Sequence, residues 1–271
     1  MKQKITQLKS PAIAGVINQK TVAGAISKIK NCIFAGASMI DLHLECLSYE
    51  GEADLKKIMN SSKLPVLALN YSKEIPEDDE LFEVARTESL LEALRSGAAG
   101  IDMQGYTFHR PSKSGFYGED RYSFTKGSPK EVVTDAAVIS RQCDLIERVH
   151  ALDGEVLLSC HPDIPMRAED VVELALFLEE RRPDVLKIVT VAKTEEDLYE
   201  SIRAMLLLKK EVRTPITYLA TGAAGSLSRI VNPLLGAHIA FCVDRYEEQT
   251  FVGQPQISAM RDIFDKVERN T

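Results

Sequence analysis

Asp184-Val185-Leu186-Lys187-Ile188-Val189-Thr190-Val191 is the stretch on which the fold turns. It is rich in Val, Leu and Ile and has no helical periodicity, which marks a strand covered on both faces, as in a parallel sheet. The lysine in its middle is the anomaly. Burying an ammonium is costly unless the group is paired or gives up its proton. A lysine without that proton is a nucleophile toward carbonyls, the starting point of Schiff-base chemistry. The plainer alternative is a lysine at a strand end that reaches water or a carboxylate.

Outward from this run, short apolar segments alternate with helical ones. Strands are expected at 12–17, 38–44, 64–69, 99–103, 155–159, 185–190, 215–220 and 238–243. Helices are expected at 21–36, 52–59, 80–96, 133–152, 168–181, 194–210, 226–235 and 255–267. Thr21 and Gly36 have the residue types that open and close a helix, and Thr194 with Asp197 comes close to a capping box. Eight strand–helix units in a chain of this length predict a single (β/α)8 TIM barrel domain over residues 1–271. An open doubly wound sheet is the rival, but no G-x-G-x-x-G follows the first strand. The segment 105–132 is long for a loop between strand and helix. It carries His109, Arg110, Lys113 and Arg121 among aromatic side chains and reads as a lid over the barrel mouth. A solvated insertion or an oligomer contact is the alternative.

Composition narrows the function. The 271 residues are 45% hydrophobic and 27% charged, with net charge −7, which argues against a nucleic-acid partner. No apolar stretch nears the roughly 20 residues that span a bilayer, and Met1-Lys2-Gln3-Lys4-Ile5 is followed by no signal-like apolar core, so no membrane role is expected. Cys32, Cys46, Cys143, Cys160 and Cys242 are scattered without metal spacing and read as reduced thiols of a cytoplasmic protein. Cytoplasmic barrels are often homodimers, but no pattern here marks an interface.

A barrel carries its chemistry at the C-terminal ends of its strands. There the chain places Asp41, His43 and Glu45 at a spacing of two, on one side of the second strand. Asp102 and Gln104 end the fourth strand, Cys160-His161 the fifth, and Lys187 lies in the sixth. The turn 222–226, Gly-Ala-Ala-Gly-Ser, offers an anion site at a helix start, with Arg229 in the next turn. A polar inner layer without catalytic purpose is the alternative for the second strand.

In the second half, four segments in order resemble motifs of the type I 3-dehydroquinate dehydratases. Ser159-Cys160-His161-Pro162-Asp163 resembles the segment with the catalytic histidine. Val185-Leu186-Lys187-Ile188-Val189 resembles the strand with the Schiff-base lysine. The segment 221–230, from Thr221 through Ser228-Arg229-Ile230, resembles the one whose arginine binds the substrate carboxylate. Thr250-Phe251-Val252-Gly253-Gln254 resembles Ser-Ala-Pro-Gly-Gln, which binds substrate oxygens. The first half departs from the pattern: His43 and Tyr71 stand where the family has arginines. Glu74 lies near the place of the acid that supports the catalytic histidine.

The resemblance implies a lyase of the shikimate pathway, serving aromatic amino acid biosynthesis, that converts 3-dehydroquinate to 3-dehydroshikimate. Lys187 would form the iminium and His161 would act as acid and base, with Asp41, His43, Arg229, Thr250 and Gln254 binding substrate. It implies a small keto acid as partner and neither cofactor nor metal, although Asp41, Glu45 and Gln104 are donors of a kind that can hold a cation. A class I aldolase or other Schiff-base lyase for a related keto acid, and a non-catalytic binder of shikimate-type ligands, stand as alternatives.

Overall fold

The run around Lys187 forms β6 (Val185–Val191), paired in parallel with β5 (Glu155–Cys160) on one side and β7 (Ile216–Thr221) on the other. This computed structural model describes residues 3–71, 80–109, 131–248, 250, 251 and 253–268. The sheet continues from β5 through β4 (Gly100–Gln104), β3 (Val66–Leu69), β2 (Met39–His43) and β1 (Ala12–Ile17) to β8 (Ile239–Cys242). At the remaining seam, the His238 N–H donates to the Ile216 carbonyl at 2.8 Å and the Ile239 N–H to the Thr217 hydroxyl at 2.9 Å. Helices alternate with these strands: α1 (Val22–Ala35), α2 (Gly51–Met59), α3 (Glu80–Ser96), α4 (Ala136–Ala151), α5 (Ala168–Glu179), α6 (Glu195–Glu211), α7 (Ser228–Leu235) and α8 (Ile257–Glu268). The architecture is the expected (β/α)8 barrel.

Local chemistry sets the element ends. The Thr21 hydroxyl accepts the Gly24 N–H, and Gly36 closes α1 at φ 106°, a left-handed conformation that favours glycine. The Thr194–Asp197 capping box is complete. Helix α4 begins three residues later than the expected 133, because Asp135 caps it by accepting the N–H groups of Ala137 and Val138, while Val132 and Val133 are buried. Strand β2 ends at His43, one residue short of the expected 44, where Leu44–Cys46 turns into a single 3-10 turn. Of the expected lid at 105–132, residues 110–130 lie outside the described ones, as does Glu74.

Two apolar layers result. The outer faces of the strands and the inner faces of the helices share one continuous core, including Ile17, Ile40, Ile101, Leu158, Ile188 and Tyr218. Inside the barrel, Ile5, Met39, Leu67, Leu157, Val185 and Ile239 form a floor. Because side chains alternate along a strand, the residues two positions further on, Asp41, Leu69, Ser159 and Lys187, belong to the layer above that floor. The period of two therefore carries the chain from hydrocarbon to chemistry within one step of each strand.

Candidate active site

A cavity of about 1020 Å³ occupies the barrel mouth, and Asp41, His43, Gln104, His161, Lys187 and Arg229 are among the residues that line it. Lys187 is 8% exposed. Its ammonium is paired: Nζ lies 3.1 Å from Asp102 Oδ2 and donates to Tyr71 Oη at 2.9 Å. Nζ also faces the Phe241 ring, 4.6 Å from its centroid. Asp102 is fully buried, and Oδ2 also accepts the Tyr71 hydroxyl at 2.7 Å. A buried charge is tolerable when paired and hydrogen-bonded. The strand-end alternative for the lysine is thus half right: a carboxylate takes the ammonium, but inside the barrel and at the cavity wall.

His161 follows β5. Glu131 Oε2 lies 3.3 Å from its Nδ1 and accepts its backbone N–H at the same distance. This contact holds the ring's Nδ1 edge against the carboxylate. Glu131 comes from the far end of the long β4–α4 connection, and its carbonyl also accepts the Cys160 thiol at 3.2 Å. Gly105 permits the approach, since a Cβ there would collide with the Glu131 carbonyl. Sequence reasoning missed Glu131. Its sole local signal is an acid immediately before the apolar pair Val132-Val133.

On the second strand His43 sits between two acids, Nε2 3.3 Å from Asp41 Oδ2 and Nδ1 2.9 Å from Glu45 Oε1. Burial pulls its pKa down, but hydrogen bonds from its ring to Asp41, Cys46 and Glu45 and the Asp41 charge outweigh that, holding it well above 6.5. Asp41 and Glu45 on either side thus favour the protonated imidazolium. The second oxygen of Glu45 accepts the Tyr71 N–H at 3.3 Å, so one carboxylate ties together the two residues that stand in place of arginines. Burial and then the Asp102 charge hold the Tyr71 phenol well above 10, so it stays protonated. Donor atoms of His43, Glu45 and Cys46 lie within 4.8 Å of one another and are of a type that can hold a cation. Gln104, whose side chain could in principle also be a cation donor, accepts the Tyr106 hydroxyl.

The model of the type I 3-dehydroquinase family matches residues 133–271. The chain belongs to that family. The match to the 3-dehydroquinate dehydratase of Aromatoleum aromaticum is 26% identical over 102 residues and spans 38% of each chain. The catabolic 3-dehydroquinate dehydratase of Acinetobacter baylyi is 22% identical over 256 residues, covering 94% of this chain and 88% of that enzyme. In three dimensions the chain superposes on the 3-dehydroquinate dehydratase of Geobacillus kaustophilus with TM-score 0.74 at 15% identity, covering 98% and 96% of the two chains. The type I enzyme from Clostridium difficile, solved with covalently modified comenic acid, gives TM-score 0.72 at 15% identity over 100% and 95%.

The family match falls on the half that holds His161, Lys187 and Arg229. Arg229, at 9% exposure, lines the cavity, and its guanidinium lies over the Phe251 ring, 5.2 Å from the centroid. Burial lowers its pKa to about 10, so it keeps its charge at neutral pH. Among the described residues no carboxylate pairs with it. Gln254 lines the cavity as expected. Thr250 is not among the lining residues: its hydroxyl accepts the Glu247 N–H at 2.8 Å, and Phe251 faces the cavity in its stead. The turn 222–226 commits two of its expected anion-binding N–H groups internally, Ala224 to the Ala192 carbonyl and Gly225 to the Gly222 carbonyl.

Proposed function

We propose that this chain is a Schiff-base hydro-lyase of the shikimate pathway that dehydrates 3-dehydroquinate to 3-dehydroshikimate. The observation that carries the reading is a cavity-facing, buried lysine inside a barrel of this family, with a carboxylate-supported histidine lining the same cavity.

Lys187 Nζ attacks the ketone carbon and forms an iminium, an electron sink that acidifies the adjacent C–H. His161 removes that proton. The electrons move into an enamine and then expel the hydroxyl, which takes a proton from His161 and leaves as water. Hydrolysis of the iminium releases the enone and restores the amine. Arg229 offers a planar fork to the substrate carboxylate. Asp41, His43 and Gln254 serve as partners for the hydroxyl-bearing side, and Thr250 acts indirectly, by holding the Glu247 N–H. His43 supplies a positive charge of the kind the resemblance expects from an arginine on β2. The whole chain works as one barrel domain in a cytoplasmic setting, in keeping with its five free cysteines. Among the described residues no helix is long and apolar enough to cross a membrane.

The test is incubation with 3-dehydroquinate, reading enone absorbance, alongside borohydride reduction and mass mapping of the adduct. Turnover with an adduct at Lys187 is the expected result. An adduct without product would make the protein a ligand binder. No adduct with this ketone, but one with a related keto acid, would make it a Schiff-base lyase of different specificity.

A further inference from the structure

We propose that Tyr71 is a catalytic residue, carrying protons between the Lys187 nitrogen and the substrate carbonyl oxygen while the Schiff base forms and breaks. The inference rests on the Schiff-base reading of Lys187 and adds a role to a residue that the resemblance marks as a missing arginine.

Tyr71 Oη is 2.9 Å from Lys187 Nζ, 2.7 Å from Asp102 Oδ2 and 3.2 Å from Ser159 Oγ. Its ring lines the cavity and meets the His161 ring edge-on, with centroids 5.7 Å apart. Among the described residues, the hydrogen bonds to the Asp102 carboxylate come from Lys187 and Tyr71 alone, both on Oδ2. The amine, the phenol and the acid thus form a closed triangle at the reacting nitrogen. The phenol keeps its own proton at neutral pH because burial and Asp102 disfavour the phenolate. It therefore works as a relay, giving one proton as it receives another. After attack, the former carbonyl oxygen lies two bonds from Nζ, within reach of a hydroxyl that already touches Nζ.

The protons balance. The lysine enters as R–NH3+ beside the Asp102 carboxylate, and its first proton goes to Asp102. The amine then forms the N–C bond and the C=O π bond breaks, placing the charge on oxygen. That oxygen takes the Tyr71 proton while Tyr71 takes the one on Asp102. The nitrogen of the carbinolamine loses its second proton to Asp102. The C–O bond breaks, the oxygen accepts this second proton through Tyr71, and water leaves. Three N–H bonds have become one, two protons have left on the oxygen, and Asp102 is again a carboxylate. His161 is then free to work at carbon, so the two proton-transfer tasks fall to different side chains.

The experiment is single-turnover borohydride trapping with 3-dehydroquinate, comparing wild type with Tyr71→Phe. The expected result is adduct formation slowed roughly 10²-fold, the low end for loss of a general acid–base, with the final yield of adduct unchanged. Adduct formation within about twofold of wild type overturns the inference and leaves Lys187 in place. A wild type that traps no adduct with any keto acid overturns the Schiff-base reading and this inference with it. Should Tyr71→Phe fold poorly, trifluorotyrosine placed at position 71 keeps the ring and lowers the phenol pKa. The alkaline limb of the pH profile for adduct formation then moves to lower pH; a limb that stays in place marks Tyr71 as merely structural and overturns the role.

Discussion

Lys187 Nζ and Asp102 Oδ2, 85 residues apart in the chain, form an ion pair 3.1 Å long at the wall of the cavity. The apolar run around Lys187, read alone, suggests that an uncharged residue there would leave the fold intact. The pair reverses that expectation. Lys187→Met strands a fully buried carboxylate, and breaking one side of a buried pair costs roughly 3–5 kcal/mol. Denaturant unfolding is expected to show this loss, with Lys187→Met/Asp102→Asn recovering most of it and neither variant forming an adduct. A Lys187→Met protein as stable as wild type contradicts the pairing.

Glu131 is a positioning residue for His161. Glu131→Gln is expected to lower kcat about tenfold or more while KM and the yield of trapped adduct stay near wild type, since the histidine acts after the iminium forms. Glu131→Asp, which keeps the charge on a shorter arm, should recover part of kcat. Equal kcat in wild type and Glu131→Gln would detach Glu131 from the chemistry.

His43 makes stability depend on pH in a defined direction. Its folded pKa is raised above the unfolded value of ~6.5. Stability from the imidazolium is therefore complete below about pH 6.5 and is lost as the pH rises through the folded value. The stability gap between wild type and His43→Gln is expected to be widest on the acid side and to close toward alkaline pH, read by thermal melts across the range. A gap independent of pH would mean that His43 carries no proton between Asp41 and Glu45.

Arg229 has no carboxylate partner among the described residues and holds its charge, so a substrate anion is its natural counterpart. Arg229→Gln is expected to raise KM by roughly tenfold to a hundredfold, the range of about 1.5–3 kcal/mol for hydrogen bonds to a charged group. Arg229→Lys should recover only part, because an ammonium cannot make the two-pronged contact. An unchanged KM in Arg229→Gln would place the carboxylate elsewhere.

Several features were legible in the sequence because their causes are local. Continuous apolar runs mark strands buried on both faces, segments with a helical pattern fall between them, and eight such units leave the barrel as the closed solution. Thr21, Gly36 and the Thr194–Asp197 pair announce helix ends because caps are made within a few residues. Lys187 stands out since a charge in an all-apolar strand needs a reason, and His161 and Arg229 follow because barrel chemistry gathers at strand ends.

What only the tertiary structure decided is which groups pair. Glu131 reaches His161 across 30 residues, and Tyr71 reaches Lys187 across 116, through contacts made as neighbouring strands are drawn into one ring. Glu45 joins His43 to Tyr71 across 26 residues, turning two absent arginines into one connected arrangement. Periodicity says which way a side chain points from its own strand, but partner choice depends on distances between strands, and those exist only once the sheet has curved and closed.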